Sequence, residues 1–331
     1  MILAIETSCD DTCAAVVDAA GAIRSNVVSS QGVHDRFGGV VPEIASRHHL
    51  ELVNAVVDDA LASAGSTLGD LDAVAVTQGP GLVGALLIGL SEAKAIAAAR
   101  NLPLAAVDHL QGHVAANFLG PEPFEPPFVC LIASGGHTLV AHVTAHDGFA
   151  VLGSTLDDAA GEAFDKGARM LGLGYPGGPA LQQLAATGDP SAHRFPTADN
   201  VAGLDFSFAG VKTALLYALR EDDRPSDADL AAAYQHAIVE QLARRTERAL
   251  KQTGLTRLAI GGGVAANGPL RERLSGLDDV TVHIPPHALC TDNAAMIASA
   301  ARYVTPLAPA AYLGLDAYAS GERVGTTHGA A

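Results

Sequence analysis

Hydrophobic and polar positions along the chain alternate between two rhythms. Short apolar runs, ILAIE, CAAVVD and AIRSNVVSS, open the sequence and read as strands. A helical period then starts at Pro42, where proline suits a first turn, and runs to about Ala64. The strand DAVAVT, a helix from about Leu82 to Arg100, the strand PLAAV and a helix near Leu110 complete the first half. From Pro127 the order returns. FVCLIAS, TLVAHVTA and FAVLGST read as strands, followed by a helix from Asp158, the strand RLAIGG, a helix, the strand VTVHI and a helix after Thr291.

Each half therefore reads βββαβαβα. Between about 174 and 256 the second half carries extra material: a turn at YPGGP, a polar loop and helices near 208–220 and 227–253. The last dozen residues, SGERVGTTHGAA, read as a frayed tail. The repeat predicts an α/β protein of two similar mixed sheets with helices on their faces and a ligand cleft between the lobes, a duplicated actin-like fold of the kind found in actin, sugar kinases and heat-shock chaperone ATPases. The expected domains are an N-terminal lobe over 1–110, a C-terminal lobe over 111–304 with a helical insertion at about 174–256, and a C-terminal segment and tail over 305–331.

Composition narrows this picture. Hydrophobic residues make up 49% of the 331 positions and charged residues 17%, so the chain has enough apolar surface for two packed cores. Four cysteines at 9, 13, 130 and 290 form no CxxC pair, which suits a reducing compartment and a role as small buried hydrophobes. The N-terminus enters an apolar strand without the basic region of a signal peptide, and the longest apolar stretch, from Gly79 to Leu90, is far short of the ~20 residues of a membrane span. A cytoplasmic protein with no membrane contact is expected. The net charge of −16 repels a polyanion over most of the surface. Arg244, Arg245, Arg248 and Lys251 are the densest basic feature; 244, 248 and 251 share one helix face, read as solvated.

Chemistry concentrates in a few places. In HLQGH, His109 and His113 stand one helical turn apart on one face, a spacing that suits a shared metal. Asp292, at the start of the last helix, is the natural third ligand, and two nitrogens with one carboxylate fit Fe(II) or Zn(II). Three glycine turns, Ser134-Gly135-Gly136, Gly177-Gly178 and Gly261-Gly262-Gly263, lie where backbone N–H groups can approach phosphate or sugar oxygens, and Asn267 follows the third. Carboxylates cluster as Glu6, Asp10 and Asp11 on the opening hairpin, and as Asp157, Asp158, Glu162 and Asp165, of which the last three share a side if the helix starts at Asp158.

Taken together, ETSCDDT, GGVVPEIASRHH, GPGLVGALLIG, HLQGH, SGGHT, DDAAGEAFDKGARMLGLGYPGGP, FSFAGVKTA, GGGVAAN and CTDNAA resemble the universal tRNA threonylcarbamoyladenosine synthase family (TsaD) over residues 2 to 300. The resemblance implies transfer of a threonylcarbamoyl group from threonylcarbamoyl-adenylate to the exocyclic amine of the adenosine 3′ of the anticodon in tRNA. It implies one divalent metal ion per subunit, Fe(2+) or Zn(2+), on His109, His113 and Asp292, and an adenylate-binding set of Ile132, Ala133, Ser134, Gly135, Gly136, Asp165, Gly178 and Asn267. It further implies an actin-like paralogue subunit and a small ATPase subunit as partners. Asp10 or Asp11 is placed to accept the proton from the attacking amine. Gln111 stands where many relatives have Glu, and Asp11 where some have Glu.

Other readings are weaker. A small-molecule kinase of the same fold would hold Mg²⁺ through oxygen ligands, which a histidine pair is not. A metalloprotease of the HExxH type needs a glutamate where Leu110 stands. A non-catalytic partner subunit would be expected to lack the metal triad.

Overall fold

The computed structural model describes residues 1–319. Contacts divide the chain into two compact units: Met1–Gly32, Val40–Pro123 and Asp292 onward form the first, and Val33–Gly39 with Phe124–Thr291 the second.

In the first unit the strands β1 (Ile2–Glu6), β2 (Asp11–Val17), β3 (Ile23–Ser30), β4 (Ala73–Gly79) and β5 (Leu104–Asp108) build one sheet in the order β3-β2-β1-β4-β5. β1 runs antiparallel to β2 and parallel to β4. Leu3, Ala4 and Ile5 of this central strand have no exposed surface, so it is an unbroken apolar run, as a strand covered on both faces should be. α1 (Pro42–Ser63) has proline in its first turn, and α2 (Val83–Arg100) ends on Asn101 in the left-handed region at φ 53°. Both helices and the sheet share one core with Tyr312 from the C-terminal segment. α3 (His109–Ala115) follows β5 with no intervening loop.

The second unit repeats the plan. β6 (Phe128–Ala133), β7 (Thr138–Ala145), β8 (Gly148–Ser154), β9 (Arg257–Gly261) and β10 (Thr281–His283) pair in the order β10-β9-β6-β7-β8, the same topology strand for strand. β6 is again antiparallel to the second strand and parallel to the fourth. The helices α4 (Ala160–Met170), α5 (Gly177–Ala185), α6 (Ala209–Ala218), α7 (Asp227–Thr253), α8 (Gly268–Ser275) and the short α9 (His287–Cys290) belong to this unit. α7 is capped by Ser226, whose hydroxyl accepts from the Asp229 N–H, and stops at Gly254 in the left-handed region.

Two sequence expectations change. The boundaries set at 110 and 304 give way to Pro123 and Asp292, because α10 (Ala294–Ala301) is buried on every side and packs on β1, β2 and α3 of the first unit. Gly112 permits that packing: a Cβ there would come within 2.7 Å of Ile297 Cδ1. α4 begins at Ala160 rather than Asp158, so Asp158 lies outside the helix, and it meets Glu162 only through Lys166, which pairs with both. The tail expected over SGERVGTTHGAA lies outside the described residues.

Candidate metal centre and nucleotide-binding residues

The α3–α10 contact builds the first site. Asp108 caps α3, its Oδ1 accepting the N–H groups of Leu110 and Gln111 at 2.8 and 3.0 Å, which fixes where the helix starts and which way His109 and His113 face. The two rings lie edge to face with centroids 4.7 Å apart. Asn293 caps α10 by accepting the Met296 N–H, and the Asp292 carbonyl accepts from the Cys13 thiol on β2. This turn holds Asp292 Oδ1 3.3 Å from His113 Nε2 and 3.6 Å from His109 Nε2. One ligand atom from each of the three residues falls within 4.8 Å of the others, so the structure brings the expected triad together.

The donor set suits a metal. Both ring nitrogens of the fully buried His113 lack a hydrogen-bond partner among the described residues, and an ion would take the lone pair of one of them. His109 shows the complementary feature. Its Nδ1 lies 3.0 Å from Glu6 Oε2 and 3.2 Å from Ser8 Oγ, which places the proton on Nδ1 and turns Nε2 toward Asp292. Glu6 is itself held, by the Thr77 hydroxyl at 2.5 Å and by the Ser8 N–H. Burial works against charge on Glu6, yet the His109 charge and hydrogen bond bring its carboxyl below the ordinary range. Burial likewise opposes an imidazolium at His109, but Asp292 and Glu6 outweigh it and raise that ring to about 9. An incoming metal must displace that proton.

Glu6 stands out in the sequence only as one of a carboxylate group; its position as the buried partner of His109 Nδ1 is not legible there. The same holds for His49, whose Nδ1 meets Thr12 Oγ1 at 2.8 Å and whose Nε2 meets the Cys9 carbonyl at 3.0 Å. It pins the turn that carries Asp10 and Asp11. Asp11 opens β2, and burial, opposed by a Ser30 hydrogen bond and reinforced by the charges of Asp292, Asp10 and Glu6, lifts its carboxyl to about 7.

The second unit gathers the remaining candidates through a chain of contacts. Ile132 and Ala133 end β6 with no exposed surface, backbone or side chain. Ser134 folds back on its own turn: its N–H donates to the His137 carbonyl and its hydroxyl accepts the His137 N–H at 3.0 Å. Gly135 and Gly136 are exposed, and a Cβ on either would meet nothing within 4 Å. The start of α4 abuts this turn, Gly161 N–H donating to the Ser134 carbonyl at 3.0 Å. One turn further, Asp165 Oδ1 accepts the Gly177 N–H at 2.8 Å, tying α4 to the start of α5, where a Cβ on Gly178 would meet only Phe164 Cβ, at 4.0 Å. Asp165, Arg169, Tyr175 and Asp35 border a cavity of about 100 Å³. Gly262, at φ +84°, lies where a Cβ would be 2.3 Å from the Ala133 carbonyl oxygen, so the third glycine turn needs glycine.

Asn267 closes this chain. Its Oδ1 accepts the Leu270 N–H and caps α8, while Nδ2 donates to Gln182 Oε1 and Gln235 Oε1, both at 2.9 Å. Three of its four hydrogen-bonding positions are filled by protein, leaving one acceptor lone pair. The nearby carboxylates are also engaged. Asp157 caps α6 by accepting the Phe208 and Ala209 N–H groups, and Asp158 takes Lys166 and Lys212 at 2.7 and 2.6 Å. Within the basic group on α7, Arg245 is fully buried and donates to the carbonyls of Asp205, Ala198 and Val201, whereas Arg244, Arg248 and Lys251 are exposed.

A family model described as "TsaD: tRNA N6-adenosine threonylcarbamoyltransferase" matches residues 22–299. A protein of Clostridium perfringens named tRNA N6-adenosine threonylcarbamoyltransferase is 51% identical over 312 residues, covering 92% of each chain. One of the same name from Symbiobacterium thermophilum is 52% identical over 311 residues, covering 92% of this chain and 91% of its own. Among solved structures, component A of the (R)-2-hydroxyglutaryl-CoA dehydratase of Acidaminococcus fermentans superposes with a TM-score of 0.57 at 17% identity, over 92% of this chain and 96% of its own. That likeness is one of fold, and with the repeated strand order it fits the duplicated actin-like architecture expected from the sequence.

Proposed function

The chain belongs to the tRNA N6-adenosine threonylcarbamoyltransferase family, and on that premise we propose that it moves a threonylcarbamoyl group from threonylcarbamoyl-adenylate to the exocyclic amine of the adenosine 3′ of the anticodon, releasing AMP. The observation that carries this reading at the level of the site is His113, buried beside Asp292 and His109 with neither ring nitrogen hydrogen-bonded among the described residues. These three residues would hold one Fe²⁺ or Zn²⁺, which supplies positive charge for the threonylcarbamoyl oxygens.

The remaining chemistry falls to the protein's own groups. The amine nitrogen forms a bond to the acyl carbon, the bond from that carbon to the phosphate oxygen breaks, and AMP departs without a general acid. One proton leaves the amine. Asp11, with its carboxyl near neutrality, is the acceptor that suits this transfer, with Asp10 beside it. Gly135 and Gly136 offer backbone N–H groups to the phosphate, and Asp165, Gly178 and the free lone pair of Asn267 serve the nucleoside. Because the donor is already activated, positioning and charge stabilisation account for most of the acceleration.

The net charge of −16 is poorly matched to tRNA, which supports the expectation that an actin-like paralogue and a small ATPase complete the RNA-binding surface. No helix among the described residues is long and apolar enough to cross a membrane, in keeping with action in the cytoplasm. The test is reconstitution. Protein, tRNA, threonylcarbamoyl-adenylate and partner subunits are incubated, and the tRNA is digested for mass spectrometry. Wild type should yield the modified nucleoside and His113→Ala should lose at least ~100-fold in rate, by analogy with loss of a metal ligand. Product formation at the wild-type rate in His113→Ala would remove the metal triad from the mechanism.

A further inference from the structure

The C-terminal segment is fastened along the first unit at successive points. Leu307 exchanges backbone hydrogen bonds with Leu104 on β5, and Tyr312 is buried in the core. Lys94 Nζ donates to the carbonyls of Leu313 and Leu315, and Gln78 Nε2 donates to the Asp316 carbonyl at 2.8 Å. The segment then brings Tyr318 to the end of β5, where its hydroxyl lies 2.6 Å from Asp108 Oδ2 and 2.9 Å from the Gly79 carbonyl. The phenol has one proton and two acceptors in reach, and the carboxylate, charged and closer, takes it. Gly79 is shaped to this ring: a Cβ there would come within 2.4 Å of the Tyr318 carbonyl and 2.8 Å of its ring. Burial, with the Asp108 charge added, pushes the phenol far above its ordinary range, so it stays a donor.

Asp108 is therefore gripped on both oxygens, by the first turn of α3 on Oδ1 and by Tyr318 on Oδ2. α3 is only seven residues long and presents two of the three ligand atoms within its first two turns, so a small rotation at its cap moves both imidazoles. We propose that Tyr318 is a positioning residue for the metal centre: through Asp108 it fixes the start of the helix that presents His109 and His113, and so couples docking of the C-terminal segment to metal affinity. This rests on the reading of His109, His113 and Asp292 as metal ligands.

The experiment measures Co²⁺ binding to the full-length, metal-stripped chain, by titration and by the ligand-field absorption of the bound ion. Tyr318→Phe keeps the ring against Gly79 and removes the hydroxyl. It should weaken Co²⁺ binding about tenfold or more, the usual range for loss of an outer hydrogen bond to a ligand system, and alter the absorption bands. Gln78→Ala removes a different fastening of the same segment without touching Asp108, and should leave the affinity within twofold. In Asp108→Asn, the further loss on adding Tyr318→Phe should be small, because the two act through one contact. Wild-type affinity and spectrum in Tyr318→Phe, or equal losses in Tyr318→Phe and Gln78→Ala, would overturn the inference. His113→Ala in the same titration separates the two levels: if it binds Co²⁺ like wild type, the metal assignment fails and the positioning role with it, whereas loss in His113→Ala with none in Tyr318→Phe defeats the positioning role alone.

Discussion

The two units use the same sheet topology but treat their polar side chains differently. In the first, the buried polar groups end in atoms without a hydrogen bond: Glu6 is held by Thr77 and Ser8 and meets His109, while neither ring nitrogen of His113 is hydrogen-bonded among the described residues, although Nε2 lies 3.3 Å from Asp292. In the second, the polar side chains near the glycine turns satisfy one another. Asp165 takes a backbone N–H, Asn267 joins two glutamines and a helix cap, and Asp158 takes two lysines. A buried donor set with an open lone pair suits an ion, whose coordination can stand in for a missing hydrogen bond. A saturated side-chain network instead makes a rigid frame around exposed backbone, which suits a ligand gripped by N–H groups.

The sharpest way to break this contrast is Asn267→Ala. If the residue chiefly ties the frame together, the variant loses a helix cap, about 1 kcal/mol, and leaves the buried Gln235 oxygen short of a donor, about 1–3 kcal/mol more, while Gln182 Oε1 keeps the Gly268 N–H. Urea unfolding should thus show a loss of roughly 2–4 kcal/mol, with AMP affinity in calorimetry falling only as far as one lost acceptor allows, about threefold to tenfold. A large loss of AMP affinity at unchanged stability would invert the contrast and make Asn267 chiefly a nucleotide contact.

This contrast also explains what the sequence could and could not reveal. His109 and His113 were legible because helical spacing converts directly into a shared face, and α3 spans both. Asp292 followed once a third donor at a helix start was sought. The doubled strand order was legible from alternating apolar runs, which the sheets reproduce. Three things were hidden because they depend on long-range packing: that the last helix belongs with the first unit, that Glu6 meets His109 from 103 positions away, and that Arg245, among exposed basic neighbours, is buried against carbonyls. Helical periodicity places Arg245 off the exposed face, but nothing local says that three carbonyls wait for it. The start of α4 was missed by two residues because Asp158 resembles a capping residue, whereas its carboxylate is drawn away by Lys166 and Lys212.

A smaller effect tests saturation at Asp158. Burial raises its carboxyl, but the hydrogen bonds and charges of Lys166 and Lys212 outweigh it, so the folded value lies below the unfolded one. A depressed carboxyl contributes stability that is present above the unfolded value, about 3.9, and disappears as pH falls through the folded one. The stability difference between wild type and Asp158→Asn should accordingly hold constant from neutral pH down to about 5 and shrink to nothing in stronger acid. A difference that grew on acidification would mean the two lysines do not act on Asp158 as the structure places them.

The smallest expected effect concerns RNA and the α7 surface. Arg244 is already paired with Glu240 at 3.2 Å and lies 3.5 Å from Asp199, so of the three exposed cations only Arg248 and Lys251 lack an ion pair among the described residues. Each phosphate contact adds about −0.9 to the slope of log affinity against log salt for duplex nucleic acid. With a net charge of −16 around it, this helix should contribute little on its own. The isolated chain is expected to bind tRNA with a slope near zero, unchanged within error when Arg244, Arg248 and Lys251 are all replaced by alanine, and to steepen only when partner subunits are added. Filter binding across a salt series decides it. A steep slope for the chain alone that flattens in the triple variant would place the RNA on α7, and the side-chain pairing of Arg244 would then be a resting arrangement that phosphate displaces.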